Sequence, residues 1–266
     1  MDAIEINRAH WDALAELHAG LDSGYYDASA LIAGRDTIDE RADAVLGDVA
    51  GLDVMHLQCH LAYDAVTLAR RGARVTGVDF SRRSLEEARA LASRCGVDLE
   101  LVEASSLSLP AALHGRFDVV YATIGVLCWI PDIEAWMRNV RSVLRPGGRL
   151  VLVELHPLYL AIDSVDPLEL GFPYAFDGPR EYDEDGSYAD RDAAIAATKT
   201  VEYAHSIGEV VTAAVRAGLR VDALHEHLDT GREHRGGVLP READGRYRLR
   251  IDGEVLPVLY TLVASR

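Results

Sequence analysis

The 266-residue sequence predicts an α/β fold in which helices cover both faces of a mostly parallel sheet, and three observations lead to this prediction. Short apolar runs typical of buried strands alternate with amphipathic segments of helical length. Residues that favour turns separate these segments, as at Pro146-Gly147-Gly148. Residues 54–80 read as strand, tight turn, helix and strand, which is one complete βαβ unit.

The predicted helices share apolar residues at three- and four-residue spacing. They cover residues 7–19, 37–49, 64–71, 84–95, 133–144 and 206–217, with a loop over 20–27. Asp64 is expected to cap the third helix, and Gly72 to end it. Ser206 and Glu209 have the spacing of a capping box at the start of the last helix.

The predicted strands are short and mostly apolar, as expected for strands buried on both faces. They cover residues 54–59, 74–78, 98–102, 117–122, 149–155, 219–228 and 255–264. The chain is therefore divided into an N-terminal helical cap (1–50), a core (51–155), an insertion (156–204) and a C-terminal completion of the sheet (205–266). The insertion is rich in tyrosine, proline and acids, which predicts a lid packed over one end of the sheet.

Composition argues against several classes of function. The formal net charge of −16 disfavours nucleic acid as a partner, because phosphate binding needs clustered cations. No apolar run approaches the roughly 18 residues of a membrane span, and the charged N-terminus does not resemble a signal peptide. Three cysteines without paired spacing predict free thiols in a reducing compartment, so we expect a cytoplasmic protein.

The turn after the first strand and the acid after the second are the candidate ligand-binding features. Sheets of this type bind ligands at the carboxyl ends of their strands, where Asp79 is expected to lie. A carboxylate about 20 residues past such a turn suits a ribose, because it can accept hydrogen bonds from both hydroxyls. The alternative is that Asp79 caps the next helix, although Ser81 already offers that function.

The end of the fifth strand carries the candidate catalytic pair. Alternation puts Glu154 and His156 on one face of the strand, where the carboxylate would orient the imidazole and raise its basicity. His205 is the second candidate base, with a helix-capping function as the alternative. His225 and His227 lack a third ligand, so no metal site is predicted.

The ordered set HLQCH, VTGVDFS, FDVVYATIGVLCWIPD, LRPGG and VELHP resembles the class I S-adenosylmethionine-dependent methyltransferases, in the branch whose first turn reads HLQCHFG. The resemblance extends to NRAHWDALAELH before the core and HSIGEVVTAAVRAGL after it, and so covers nearly the whole chain. It implies the Rossmann-like class I methyltransferase fold with a mostly parallel seven-stranded sheet. It also implies S-adenosylmethionine as the cofactor and S-adenosylhomocysteine as the product.

The resemblance further implies which residues bind each ligand. Those expected at the cofactor are Gln58, Cys59, His60, Ala62, Asp64, Asp79, Phe80, Ser105, Ser106, Thr123 and Tyr26, and those expected at the acceptor are Trp11, Tyr25, Trp129 and Tyr159. Asp79 would hold the ribose, and Ser105 stands where such enzymes often carry an adenine-binding acid. Gln58, His60 and Ala62 occupy the three glycine positions of the common motif, where a Cβ is unfavourable if φ is positive.

The sequence therefore predicts methyl transfer to a nucleophilic N, O or C atom of a small molecule. The tyrosine-rich insertion suggests an aromatic or indole-type specialised metabolite as the acceptor. A non-methylating enzyme of the same fold, such as a cyclase that retains the cofactor pocket, is the alternative. A nicotinamide-dependent oxidoreductase is disfavoured because G-x-G-x-x-G is absent, and a scaffold protein because the strand ends are polar. A homodimer is left open.

Overall fold

The computed structural model describes residues 2–22, 24–183, 185–235 and 237–266. Its helices are α1 (Ala3–Gly20), α2 (Ala28–Ile32), α3 (Glu40–Leu46), α4 (Tyr63–Arg70), α5 (Arg82–Cys95), α6 (Ile133–Val143), α7 (Pro157–Ala161) and α8 (Ile207–Arg216). Its strands are β1 (Asp53–Leu57), β2 (Arg74–Asp79), β3 (Glu100–Glu103), β4 (Phe117–Thr123), β5 (Leu144–Leu155), β6 (Ile162–Val165), β7 (Leu168–Leu170), β8 (Arg180–Asp183), β9 (Lys199–Glu202), β10 (Arg220–His227), β11 (Leu249–Ile251), β12 (Glu254–Leu256) and β13 (Leu259–Ser265). Within these residues no helix is long and apolar enough to cross a bilayer.

The central sheet has seven strands in the order β10-β13-β5-β4-β1-β2-β3. Strand β13 runs antiparallel to both of its neighbours, and the other pairs are parallel. Successive side chains of a strand point to opposite faces, so Met55 packs in the core under α6 and α8 while Val54 packs in the core under α3, α4 and α5. The predicted mostly parallel α/β sheet with helices on both faces is confirmed.

The C-terminal part and the insertion differ from prediction. The expected strand over 255–264 is two strands, β12 and β13, which pair with different partners and are separated at Pro257. Proline has no N–H to continue a ladder. The insertion was predicted as a long irregular segment, but it contains α7 and two antiparallel strand pairs, β6–β7 and β8–β9.

Helix α1 buries a polar face rather than the predicted apolar stripe. Its buried positions include Asn7, His10, Leu14 and His18, while Leu17 is only half-buried. The Asn7 amide donates to the Val201 carbonyl at 2.8 Å and accepts from the Val201 N–H at 2.8 Å. These bonds satisfy the buried polar groups and join α1 to β9 of the insertion.

Candidate active site

A cavity of about 1180 Å³ lies at the carboxyl ends of the parallel strands. Single-ligand pockets are commonly about 300–1000 Å³, so there is room for two small molecules together. Most of the residues expected to bind cofactor or acceptor line it: Trp11, Tyr25, Tyr26, Gln58, Cys59, His60, Ala62, Asp64, Asp79, Phe80, Ser105, Ser106, Thr123 and Trp129. The structure therefore brings together residues that are far apart in the chain, although their individual functions stay predictions.

Asp79 ends β2 with its carboxylate on the cavity. One carboxylate oxygen accepts from the His60 N–H and the other from the Ser81 N–H, both at 2.8 Å. Each oxygen keeps a second lone pair, so the group can still accept two hydroxyls. Burial raises the pKa of Asp79 to about 6, and the two backbone N–H groups oppose that rise. Ser81 caps α5 through its hydroxyl, as predicted.

The turn between β1 and α4 is strained at all three positions where the family motif has glycine. Gln58, His60 and Ala62 have φ of 60°, 46° and 60°. L-residues adopt this left-handed region at a cost of roughly 1–2 kcal/mol each. Ala62 is also the N-cap of α4, which corrects the expectation that Asp64 caps this helix. Asp64 lies one residue inside the helix and cannot reach the capping geometry.

We expect Ala62→Gly to raise the free energy of unfolding by about 1 kcal/mol, because glycine adopts positive φ without the Cβ clash. Chemical denaturation of the purified chain measures this change. Ala65→Gly is the matched control, because Ala65 lies inside α4, where glycine should destabilise by about 1 kcal/mol instead. A loss of stability in both variants would contradict the assignment of strain to position 62.

The polar side chains of this turn hold the cavity floor in place. The Gln58 side chain accepts from Trp136 Nε1 at 2.9 Å and donates to the Val126 carbonyl at 3.0 Å. Asp64 accepts from the hydroxyl of Tyr121 at 2.8 Å and from that of Thr123 at 3.2 Å. The floor is therefore fixed from β4 and α6 as well as from β1.

Cys59 and Ser105 also line the cavity, but their side chains make different contacts. The Cys59 thiol packs inward, since a Cβ added at Gly77 would lie 3.0 Å from its sulfur. Burial raises the pKa of the Cys59 thiol, which keeps it protonated. Ser105 accepts from the Leu107 N–H at 3.2 Å and so shapes the loop after β3.

A buried hydrogen-bonded chain that the sequence did not reveal connects the turn to α1 and the insertion. His60 Nδ1 lies 2.9 Å from Ser84 Oγ, and His60 Nε2 lies 2.8 Å from His18 Nδ1. His18 Nε2 lies in turn 2.6 Å from Ser187 Oγ. Neutral imidazoles satisfy the chain, because each ring then donates once and accepts once. Burial lowers the pKa of His18 to about 3 and the pKa of His60 well below its usual range, which agrees with that pattern.

We expect His18 to make the fold sensitive to acid. The unfolded chain takes up a proton near pH 6.5, whereas folded His18 resists protonation until about pH 3. Its contribution is therefore complete above pH 6.5 and is lost as the pH falls toward 3. From pH 7 to pH 5 the loss is about 2 kcal/mol. Comparing denaturation of the native chain and His18→Gln at both pH values measures it.

The comparison must account for Asp79, which also titrates in this pH range, and needs a control variant at another histidine. Asp79 acts in the opposite direction, because a carboxyl with a raised pKa gains relative stability as the pH falls. It is present in both proteins, so it cancels in the difference. His225 is exposed on β10 and takes no part in the His18 chain, so His225→Gln is the control for a histidine-to-glutamine substitution itself. An equal pH dependence in His18→Gln and the native chain would contradict the prediction.

An aromatic wall faces the floor across the cavity. The rings of Trp11 and Trp129 meet edge to face at 5.4 Å, and Trp11 also meets His60 at 5.0 Å. Tyr26 stacks on His18 at 4.3 Å, and its hydroxyl bonds that of Tyr188 from the insertion. Flat aromatic surfaces of this kind favour a flat ligand.

The predicted catalytic pair is not formed. Glu154 is buried beneath the loop after β4, where its carboxylate accepts from the N–H groups of Val126 and Leu127 at 2.8 and 2.9 Å. His156 caps α7, because Pro157 turns the chain into a helix immediately after β5. Its Nδ1 accepts from the Leu158 N–H and its Nε2 lies 2.8 Å from the Glu226 carboxylate. Neither Glu154 nor His156 lines the cavity.

Two further expectations fail for similar reasons. His205 lies outside the large cavity, with its Nε2 2.7 Å from the Ile130 carbonyl, so its ring supports the loop after β4. Tyr159 is fully buried and donates to Glu233 Oε1 at 2.6 Å, so it cannot bind an acceptor. Both side chains fill the space behind the cavity wall.

The comparisons with known proteins agree with this geometry. Residues 54–148 match the family model described as a methyltransferase domain. The demethylmenaquinone methyltransferase of Lactococcus lactis subsp. lactis is 30% identical over 160 residues, which are 57% of this chain and 62% of that protein. The chain thus spans less than two thirds of the length of the curated relatives it matches.

Two solved structures have the same fold. An S-adenosylmethionine-dependent methyltransferase from Mesorhizobium loti is 23% identical, with a TM-score of 0.60 over 85% of this chain and 96% of that one. Magnesium protoporphyrin IX methyltransferase from Synechocystis, with bound S-adenosylhomocysteine, is 17% identical, with a TM-score of 0.57 over 100% of both chains. Residues 54–148 are thus similar to a methyltransferase domain, and the chain has the fold of these S-adenosylmethionine-dependent methyltransferase structures. The narrower resemblance to the HLQCHFG branch stays a prediction.

Proposed function

We propose that this chain transfers the methyl group of S-adenosylmethionine to a nucleophilic N, O or C atom of a flat, aromatic small molecule. The observation that carries the proposal is the single cavity in which the Asp79 carboxylate and the aromatic wall of Trp11, Trp129 and Tyr26 meet. The carboxylate suits the sugar of a nucleoside, and the aromatic side chains suit a flat ring. The volume of about 1180 Å³ accommodates both.

The residues present fit the cofactor. Asp79 keeps two lone pairs for ribose hydroxyls, Ser105 and Ser106 line the cavity next to it, and the strained turn brings backbone close to the same space. Strain of this kind persists at ligand-binding turns when the surrounding structure holds it in place. S-adenosylmethionine supplies a methyl group already activated by the sulfonium.

What the chain contributes is positioning and exclusion of water. Alignment of two bound reactants can lower a barrier by roughly 7–11 kcal/mol, whereas a general base adds about 3–5 kcal/mol. The loss of Glu154, His156 and His205 as candidate bases therefore does not weaken the proposal. Helix α1 and the insertion, joined through Asn7 and the His18 chain, form a roof that would keep water from the nucleophile.

The test is a purified chain incubated with S-adenosylmethionine and a panel of phenols, indoles and aromatic amines. We expect S-adenosylhomocysteine to accumulate with at least one acceptor, in equal amount to the methylated product. Calorimetry with S-adenosylhomocysteine tests the cofactor site alone. Absence of binding would overturn the proposal whatever the acceptor panel shows.

The non-methylating alternative uses the same pocket and is separated by the same assay. A cyclase would convert its substrate without releasing S-adenosylhomocysteine. The side chains at Gln58, His60 and Ala62, where the family motif has glycine, are the observation that keeps this alternative open. Stoichiometric S-adenosylhomocysteine would exclude it.

A further inference from the structure

Arginines from the insertion and from the segment after β10 line part of the cavity, in a protein whose formal net charge is −16. The arginines that line the cavity are Arg191, Arg232, Arg235 and Arg246. Arg235 is paired with Asp163 at 2.8 Å, and Arg246 with Asp229 at 2.6 Å. Arg191 donates to the Arg235 carbonyl. Three of these four guanidinium groups are therefore engaged by the protein.

Arg232 differs from the other three. Its guanidinium is exposed on the cavity and lies 5.1 Å from the ring centroid of Tyr25. Among the described residues no carboxylate or carbonyl accepts a hydrogen bond from it. A guanidinium has five N–H donors in a planar fork, so its whole donor set remains available to a ligand.

The loop that carries Arg232 is held in place by a satisfied hydrogen-bond network. The Tyr25 hydroxyl donates to the Glu233 carbonyl at 2.9 Å and can accept from His234 Nδ1 at 3.0 Å. His234 Nε2 then accepts from the Thr230 hydroxyl at 3.1 Å. Burial lowers the pKa of His234 to about 4, which keeps the ring neutral as this arrangement requires. The loop that carries the Arg232 guanidinium is therefore held by hydrogen bonds on both sides of it in sequence.

A series of side-chain contacts connects Arg232 to Asp79, the residue expected to bind the ribose. Asp79 accepts from the His60 N–H, and the His60 ring meets Tyr26 at 5.6 Å. Tyr26 meets Tyr25 at 6.3 Å, and Tyr25 carries the guanidinium on its face. Three aromatic side chains, His60, Tyr26 and Tyr25, thus connect Asp79 to Arg232, and the one that contacts the guanidinium is Tyr25, which is expected at the acceptor.

We propose that the acceptor is an aromatic carboxylate whose anionic group is bound by Arg232 over the Tyr25 ring. This inference rests on the proposed function and adds the charge of the substrate to it. A carboxylate matches the guanidinium fork with two parallel charge-assisted hydrogen bonds, which a carboxamide cannot make because it has only one acceptor oxygen. Stacking on Tyr25 restricts the guanidinium and lowers the entropy lost on binding.

The test compares indole-3-carboxylate with the isosteric indole-3-carboxamide, by calorimetry on the chain loaded with S-adenosylhomocysteine. Charge-assisted hydrogen bonds predict that the carboxylate binds about 10- to 100-fold more tightly than the carboxamide. Arg232→Gln should remove this preference, and Arg232→Lys should keep part of it. Arg241→Gln is the matched control, because Arg241 lies close in sequence but does not line the cavity.

The outcomes separate this inference from the proposed function. No preference for the carboxylate in the native chain, including no binding of either probe, overturns the inference while cofactor binding and methyl transfer stand. A preference that survives in Arg232→Gln also overturns it. Weaker binding of S-adenosylhomocysteine by Arg232→Gln, with the probe preference unchanged, would assign the guanidinium to the cofactor carboxylate instead. Should Arg232→Gln not fold, a preference in the native chain that does not decrease with added salt contradicts the inference.

Discussion

Asp79→Asn is expected to weaken the binding of S-adenosylhomocysteine by about 100-fold. The carboxylate offers each ribose hydroxyl a charge-assisted hydrogen bond, and losing roughly 1.5 kcal/mol at each of two hydroxyls corresponds to that factor. Calorimetry on the folded variant measures it. Below pH 6 the native chain should also bind more weakly, since burial raises the pKa of Asp79 to about 6 and a protonated carboxyl accepts less well. The variant should lack this pH dependence.

Glu103 provides the matched control for that experiment. It ends β3 in register with Asp79, but it is exposed and does not line the cavity. Glu103→Gln should therefore keep the native affinity. Asp79 also accepts from the His60 and Ser81 N–H groups, so unfolding of each variant must be followed separately. A folded Asp79→Asn with native affinity would show that the nucleoside is held elsewhere.

Asp79 also shows what the sequence could predict. The strand period, the glycine that ends α4 and the spacing from the turn to the acid are local patterns, and they suffice to place a carboxylate at the edge of a parallel sheet. The resemblance to the family motif also predicted the turn between β1 and α4. Its backbone could not be predicted, because φ at Gln58, His60 and Ala62 depends on how the whole loop packs.

Contacts distant in sequence were missed for a physical reason. The His18–His60 pair joins residues 42 positions apart, and no local pattern encodes it. Helix α1 has the expected helical spacing of buried residues, but its buried face carries the polar residues Asn7 and His10. A search for apolar residues overlooks polar residues at the same spacing. Arg232 and His234 lie in a loop without secondary structure, where the sequence offers neither periodicity nor a motif.

The predicted catalytic pair failed at the junction between strand and helix. Alternation holds only while the chain remains extended, and Pro157 starts α7 directly after β5. Glu154 itself was placed correctly at the strand end. The sequence could not show that the loop after β4 folds back over it and directs its N–H groups at the carboxylate.

Glu154→Gln tests the function that the structure gives this carboxylate instead. Its two oxygens accept from the N–H groups of Gly125, Val126, Leu127 and Leu155 at 2.5–2.9 Å. A glutamine has one acceptor oxygen, and its amide would oppose some of these donors. We expect the free energy of unfolding to fall by about 3 kcal/mol, because buried N–H groups lose their partners. Chemical denaturation measures this loss.

The same variant distinguishes a structural carboxylate from a general base. If Glu154 were the base, glutamine would lower kcat by about 100-fold or more and leave the stability unchanged. The observed contacts predict instead that the main effect is a loss of stability. Cofactor affinity should also fall, because Gln58 donates to the Val126 carbonyl of the same loop. Glu226→Gln, at the exposed partner of His156, should change the stability by less than about 0.5 kcal/mol. An equal loss in both variants would mean that the buried amide contacts do not hold the cavity floor.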